Sequence, residues 1–378
     1  MKPTDFLSAA CVNANELTSR AESYFRANHP LEAECALHAA LGHDPTCFAA
    51  LELLARMSGT RHPSEHATKF LGLAAGAGPE TPEAYFYLGL AFGHLGFAAR
   101  ASVAFKRATE LRPDWAGTHH NLGFTYQQMG LFDEAIASYR RAMTLEPERP
   151  GPLELIRAIE QQGLEIARLA EYVRSAPRAV GEPISGQPAE PKAALASRQL
   201  FPQFLNQLGL GGIGAEVGVA EGVFSEYLLR TWRCSLFYSI DPWRDFADEA
   251  DRGAADDAQI IQDVRYVRTI RRLQPFGPRS VIWRATSSEA ASLTPEQSLD
   301  FCYVDANHEY AAVAQDIALW WDKVHPGGVL GGHDYIADGT YPFGVFGVQR
   351  AVKELVQRRG LELFLTRDSP PSWFVVVT

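Results

Sequence analysis

The feature that most constrains this chain is a repeat. Residues 82–115 and 116–149 align at a period of 34: Leu88-Gly89 matches Leu122-Gly123, Phe92 matches Tyr126, and Gly96 matches Gly130. The match continues with Ala101 and Ala135, Phe105 and Tyr139, Ala108 and Ala142, and Pro113 and Pro147. Small residues at Gly89 and Ala101 let two antiparallel helices approach closely, aromatics fill the space between them, and the proline ends the second helix. A unit of this kind buries its apolar face only against its neighbours, so a stacked helical solenoid is expected. Weaker copies lie one and two periods upstream. Residues 48–81 keep Leu51, Leu54, Ala55, Ala67, Leu71, Ala74 and Pro79; residues 14–47 keep Leu17, Ala21, Tyr24, Ala33, Leu37, Ala40 and Pro45.

The pattern resembles the tetratricopeptide repeat, with about four copies over 14–149. A helix over 150–175 is expected to cap the last apolar face. Stacked helix pairs make a concave surface, so a protein partner, the acceptor or a second copy of the chain is the expected occupant. His120 and Asn121 are candidates for that groove, or ordinary solvated helix positions. Residues 176–197 are rich in Pro, Ala, Gly and Ser without helical or strand periodicity, and read as a linker.

From about 198 the rhythm becomes strand–helix alternation. Strands are expected at 213–217, 236–240, 280–284, 300–304, 328–332, 361–366 and 373–378, with helices at 221–230, 259–273, 311–324 and 345–359. This is the pattern of a doubly wound parallel sheet. The last two strands are separated only by residues 367–372, too short for a parallel crossover, so they form an antiparallel hairpin. The fold class is therefore α plus α/β: a helical repeat array, then a Rossmann-like seven-stranded sheet over 198–378.

In such sheets ligands lie beyond the carboxyl ends of the strands. The first strand of the domain runs into Glu216-Val217-Gly218-Val219-Ala220-Glu221-Gly222. Gly218 allows a ligand near the backbone, and Gly222 allows a tight turn or close helix packing. The second strand ends at Asp241, placed to accept from ribose hydroxyls or to cap a helix. The third ends in Ala285-Thr286-Ser287, where Ser287 either caps the next helix or faces a ligand. The fourth and fifth strands end in Asp305-Ala306-Asn307-His308 and His333-Asp334-Tyr335. Two carboxylates and an imidazole at adjacent strand ends make a divalent-metal site or a structural hydrogen-bond pair. His308, three residues beyond Asp305, is placed for a base.

The acid-x-Gly-x-x-x-Gly loop resembles that of S-adenosylmethionine (SAM)-dependent methyltransferases. The stretch from Asp305 to Tyr335 resembles the metal-dependent small-molecule O-methyltransferases of the catechol and macrolide-sugar types. That resemblance covers 198–378 and departs at His333, where the family has an acidic ligand. It implies SAM bound by Glu216, Gly218, Gly222 and Asp241, with Ser287 against the adenine. It implies a divalent metal, Mg2+ foremost, on Asp305, His333 and Asp334. His308 and Asp305 would then carry catalysis on a small-molecule or sugar hydroxyl. Two other readings stay open: a metal-independent methyltransferase with His308 acting alone, and a repeat-based interaction protein whose second domain binds SAM without turnover.

Other features carry less. Trp320 and Trp321 sit mid-helix, one of them against the sheet, and Cys302 is a core position. Residues 244–257 are acidic and form a solvated segment or part of a lid. Arg265, Arg268, Arg271 and Arg272 read as a solvated face. Tyr341 and Phe343 are candidates to line the acceptor pocket.

Charge and composition exclude some classes. A net charge of −10 leaves no basic footprint for nucleic acid or an anionic membrane. No apolar run approaches the roughly 18 residues that span a bilayer, and the N-terminus reads as neither signal nor anchor. Five cysteines without metal-type spacing (Cys11, Cys35, Cys47, Cys234, Cys302) read as reduced thiols of a cytoplasmic protein.

Overall fold

The computed structural model describes residues 14–26, scattered positions between 33 and 77, and 81–95, 97–175, 190–244, 258–341 and 344–378. It divides into two compact units, residues 1–159 and 160–378.

In the first unit α1 (Ala14–Arg26) is followed by the paired helices α2 (Pro82–His94) and α3 (Ala98–Leu111), then α4 (Ala116–Gln128) and α5 (Phe132–Leu145). The 34-residue register is visible in the contacts. A Cβ on Gly89 would sit 2.5 Å from the Phe105 ring, and one on Gly123 2.8 Å from the Tyr139 ring. Each glycine is thus the floor on which the aromatic of the partner helix rests. Ala101, Ala108, Ala135 and Ala142 are fully buried beside them. The next helix, α6 (Pro152–Ser175), buries Ile156 and Ile159 in one cluster with Ala135 and Tyr139. Upstream, Ala21, Leu37 and Ala40 belong to one buried cluster with Leu17 packed against it, and Ala33 and Ala74 are buried too. Gly96, Pro45, Leu51, Leu54, Ala55, Ala67, Leu71 and Pro79 lie outside the described residues. His120 packs its ring on Tyr139 at 5.6 Å and lines a cavity of about 660 Å³ with Glu146, Arg149 and the prolines around them.

The second unit is built on one sheet. Its strands are β1 (Lys192–Leu195), β2 (Ile213–Val217), β3 (Leu236–Asp241), β4 (Ser280–Arg284), β5 (Leu299–Val304), β6 (Val324–Gly332), then the small hairpin β7 (Gly339–Tyr341) and β8 (Gly344–Phe346), and finally β9 (Phe364–Thr366) and β10 (Trp373–Val376). The spatial order is β1-β9-β10-β6-β5-β2-β3-β4. Strand β10 runs antiparallel to both β6 and β9, and the other pairs are parallel. The hairpin expected at 367–372 is therefore present.

The sheet has eight strands rather than seven. The additional edge strand, Lys192–Leu195, comes from residues whose composition reads as linker. Only Leu195 of the four is buried, so no alternation marks them as a strand; backbone pairing to β9 makes them one.

Helices α7 (Phe201–Leu208), α8 (Val223–Thr231), α9 (Ala258–Leu273), α10 (Ser287–Leu293), α11 (Tyr310–Trp321) and α12 (Val348–Arg359) pack around this sheet. One face carries Ala215, Val217, Cys302, Val304 and Leu330 against Val313, Ile317, Trp320 and Val352. Both Trp320 and Trp321 are buried, where one was expected, and Cys302 is core as its strand position implies. Phe201, Phe204, Trp232, Phe301, Tyr303 and Phe374 are fully buried, and their rings form a chain of edge and tilted contacts.

Candidate active site

Register decides where the chemistry gathers. Val217 pairs Val304, and Val304 pairs Gly332, so the residues that follow β2, β5 and β6 leave the sheet side by side. These are Gly218, Asp305 and His333-Asp334.

Gly218 has φ +89, and a Cβ there would collide with the Asp305 carbonyl. Close approach between two chain segments requires this glycine. Gly222 is similar: φ is +72, it stands at the N-cap of α8, and a Cβ would lie 2.9 Å from Thr269 on α9. The partner is α9, not the helix that directly follows.

Glu216 lies under the loop, only 2 % exposed. Ser225 on α8 donates to its carboxyl, and Ser239 on β3 donates to Ser225 at 2.8 Å. Burial, partly offset by the Ser225 bond, raises its pKa to about 8, so it is mostly protonated at neutral pH. Its carboxyl lies beneath the loop, engaged by the Ser225 hydroxyl.

Asp241 ties two loops together. One carboxylate oxygen accepts from the Val219 N–H at 3.0 Å and the Ala220 N–H at 2.9 Å; the other accepts from the Trp243 N–H at 2.7 Å. Among the described residues that second oxygen accepts only this one backbone bond, and it keeps a further lone pair. Trp243 is fully buried at φ +41, and its indole N–H donates to the Ala220 carbonyl at 2.7 Å. Arg268 reaches Glu221 at 2.8 Å and Arg272 reaches Glu226 at 2.7 Å, so part of the arginine run braces this loop instead of facing solvent. Residues 245–257 of the expected lid segment lie outside the described residues.

Ser287 neither caps nor presents a free hydroxyl. Thr286 is the N-cap of α10, in a reciprocal capping box with Glu289. Ser287 donates to Asp316 at 2.5 Å and accepts from the Trp320 indole N–H at 2.9 Å. Burial raises the Asp316 carboxyl to about 6, partly offset by that Ser287 bond.

The polar centre is compact. One ligand atom from each of Asp305, His308 and Asp334 lies within 4.8 Å of the others, a set with the hard oxygen and imidazole character that suits a divalent cation. His308 Nε2 is 2.9 Å from Asp334 Oδ2 and 3.9 Å from Asp305 Oδ1. The imidazole expected in the ligand set was His333; His308 also reaches both carboxylates and is the imidazole of the compact set. His333 stands beside them, Nδ1 3.1 Å from Asp334 Oδ2 and 3.9 Å from Asp305 Oδ1. Asp334 takes a left-handed φ of +53, uncommon for a residue other than glycine. Burial works against charge on His308, but Asp305 and Asp334 outweigh it and raise its pKa to about 9. Burial likewise opposes the Asp334 charge, yet His308 and His333 hold that carboxyl well below its usual range.

Two residues here carry no sequence signal. Phe346, at the end of the β7–β8 hairpin, stacks on the His308 ring at 4.7 Å and 13°, and Tyr341 meets Phe346 edge-on at 5.5 Å. Tyr341 thus joins the polar centre through Phe346, and Phe343 lies outside the described residues. Arg198, in the turn Arg198–Leu200 before α7, brings a guanidinium 3.4 Å from Asp305 Oδ2.

In a doubly wound sheet with a glycine loop, an acid after the next strand and a polar cluster at two further strand ends, the ligand site lies beyond the carboxyl ends of the strands. Residues 215–335 match the family model of the methyltransferase domain, and residues 116–149 match that of the tetratricopeptide repeat. The chain carries a tetratricopeptide repeat and a methyltransferase domain. No curated protein matches it in sequence. Among solved structures, MamA is 23 % identical, covers 38 % of this chain and 85 % of its own, and has a TM-score of 0.25. The O-methyltransferase TomG from Streptomyces achromogenes, involved in tomaymycin synthesis and solved with SAM, is 16 % identical over 58 % of this chain and 90 % of its own, at a TM-score of 0.36. A protein from Corynebacterium glutamicum is 15 % identical over 68 % of this chain and 97 % of its own, at 0.32. Among the described residues no helix is long and apolar enough to cross a membrane.

Proposed function

We propose that residues 198–378 transfer the methyl group of SAM to a hydroxyl of a small-molecule or sugar acceptor with the help of a divalent cation, Mg2+ foremost. The repeats over 14–149, capped by 150–175 and joined by a linker within 176–197, would offer a surface to a protein partner, the acceptor or a second copy. The cytoplasm is the expected compartment. The observation that carries the catalytic reading is the convergence of Asp305, His308 and Asp334 at the ends of β5 and β6, beside the loop that Asp241 anchors.

Asp305 and Asp334 would hold the cation, with His333 or His308 completing the set. A bound cation would supply Lewis acidity at the acceptor oxygen. His308 keeps its proton to about pH 9 while two carboxylates face it alone. Sharing those carboxylates with a cation lowers that pKa and frees Nε2 to take the hydroxyl proton. The remaining lone pair of Asp241 would orient the ribose, and Gly218, Gly222 and Glu216 would shape the loop around the cofactor.

The test is methyl transfer from SAM to catechols and hydroxylated sugars, before and after chelation, with Mg2+ restored. Loss on chelation and recovery with Mg2+ is the expected outcome. His308→Ala separates two roles: lost turnover with intact cation and cofactor affinity assigns a base, and lost cation affinity assigns a ligand. A second reading has its own support, since Arg198 and protonated His308 already balance Asp305 and Asp334 without a metal. Chelator-resistant turnover would select that metal-independent form.

A further inference from the structure

Arg198 is placed for a task that no sequence motif suggests. Its backbone N–H donates to Asp368 at 3.0 Å, which pins the turn to the β9–β10 hairpin. Its guanidinium lies over the Phe224 ring at 5.1 Å, close to the N-terminus of α8. A guanidinium that rests on an aromatic ring can still hydrogen-bond through its N–H groups.

Three other guanidiniums on and near the glycine loop are tightly paired. Arg268, Arg272 and Arg284 meet Glu221, Glu226 and Asp263 at 2.7–2.8 Å. Arg198 meets Asp305 at 3.4 Å, too long for a strong charge-assisted bond, and its side chain is still 34 % exposed. The other groups that face it are the Tyr303 hydroxyl and the buried Glu216. A guanidinium has five N–H donors in a planar fork that matches a carboxylate bidentately. The surroundings are otherwise rich in acids: Asp241, Asp305 and Asp334 all stand at these strand ends. A ligand carboxylate can enter only where a cation offsets them.

We propose that Arg198 binds the α-carboxylate of the methionyl end of the cofactor, and so selects cofactors that carry an intact amino-acid moiety. This rests on the SAM-dependent reading above.

The experiment is calorimetric titration of the full chain and its Arg198→Ala and Arg198→Lys variants with two probes, SAM and decarboxylated SAM. A bond between charged groups is worth about 10–100-fold in affinity. The wild type should prefer SAM over the decarboxylated probe by about that factor. Arg198→Ala should weaken SAM by the same factor and leave the decarboxylated probe within about threefold, abolishing the preference. Arg198→Lys should restore part of it, since an ammonium supplies charge without the fork. Equal weakening of both probes would make Arg198 a structural residue and overturn the proposal. A preference that survives in Arg198→Ala would overturn it as well. Should neither variant fold, the wild-type preference decides: equal affinity for the two probes refutes the assignment. Binding of neither probe by the wild type defeats the SAM-dependent reading itself, and this assignment with it.

Discussion

Replacing Glu216 with glutamine should stabilise the protein in alkaline solution and leave it nearly unchanged in acid. Glu216 is a carboxyl enclosed by the protein, with Ser225 and, behind it, Ser239 as its hydroxyl partners. Burial raises its pKa from 4.5 to about 8. In the unfolded chain the group ionises at its ordinary value; in the fold it keeps its proton until about pH 8. The folded state therefore binds more protons across that window, and stability falls as pH rises from about 4.5 to about 8 and then levels off. Each tenfold change in proton affinity is worth about 1.4 kcal/mol, so the ionised form costs the fold at most on the order of 5 kcal/mol, and about 1 kcal/mol at pH 5. Glutamine keeps a carbonyl for the Ser225 hydroxyl and carries no charge to desolvate. Even a fifth of that ceiling moves the melting temperature by about 2–4 °C in a domain of this size. Intrinsic fluorescence is the suitable readout, because six of the seven tryptophans (all but Trp115) lie in the methyltransferase domain. Glu216→Gln should melt several degrees above the wild type at pH 8.5, with the gap nearly closed at pH 5. A variant that is less stable than the wild type by the same margin at both pH values would refute the argument, because it would mean that the ionised carboxylate is the native and stabilising form.

Three further outcomes follow from close contacts. Gly218→Ala places a Cβ against the Asp305 carbonyl at a left-handed φ, and should cost about 2–5 kcal/mol together with SAM binding; an unchanged fluorescence melt would show that the β2 and β5 ends can separate freely. Gly123→Val forces apart α4 and α5 at the Tyr139 ring and should destabilise the repeats by about 1–3 kcal/mol, lowering the first far-UV urea midpoint while the tryptophan transition stays in place. Asp241→Asn turns an amide toward one of three backbone donors and should weaken SAM binding about tenfold by calorimetry, whereas undiminished affinity would show that the acid does not organise the loops.

Much of this molecule is legible before folding because its signals are local. The 34-residue period is a packing rule written in pairs such as Gly89 with Phe105 and Gly123 with Tyr139. The strand–helix rhythm places Asp241, Asp305 and His333-Asp334 at strand ends, and the short 367–372 link leaves only an antiparallel hairpin. Edges are less legible. The strand at Lys192–Leu195 has almost no buried face, and exists because β9 offers unpaired backbone groups to it.

The site itself divides along the same line. Which residue types crowd the strand ends is a property of the sequence, since strand alternation and turn glycines are encoded within a few residues of each acid. Which side chain meets which is not. That His308 and His333 both reach Asp305 and Asp334 depends on the β5–β6 register, which brings the two strand ends side by side. Ser287 is drawn to Asp316 and Trp320 because α11 packs there. The burial that makes Glu216 a weak acid comes from α8 and β3 closing over it. The approach of Arg198 and Asp305, 107 residues apart, needs the β9–β10 hairpin to hold the turn before α7 in place. Contacts of that span, and the desolvation that tunes each charge, arise only when distant elements pack together, and the tertiary structure alone decides them.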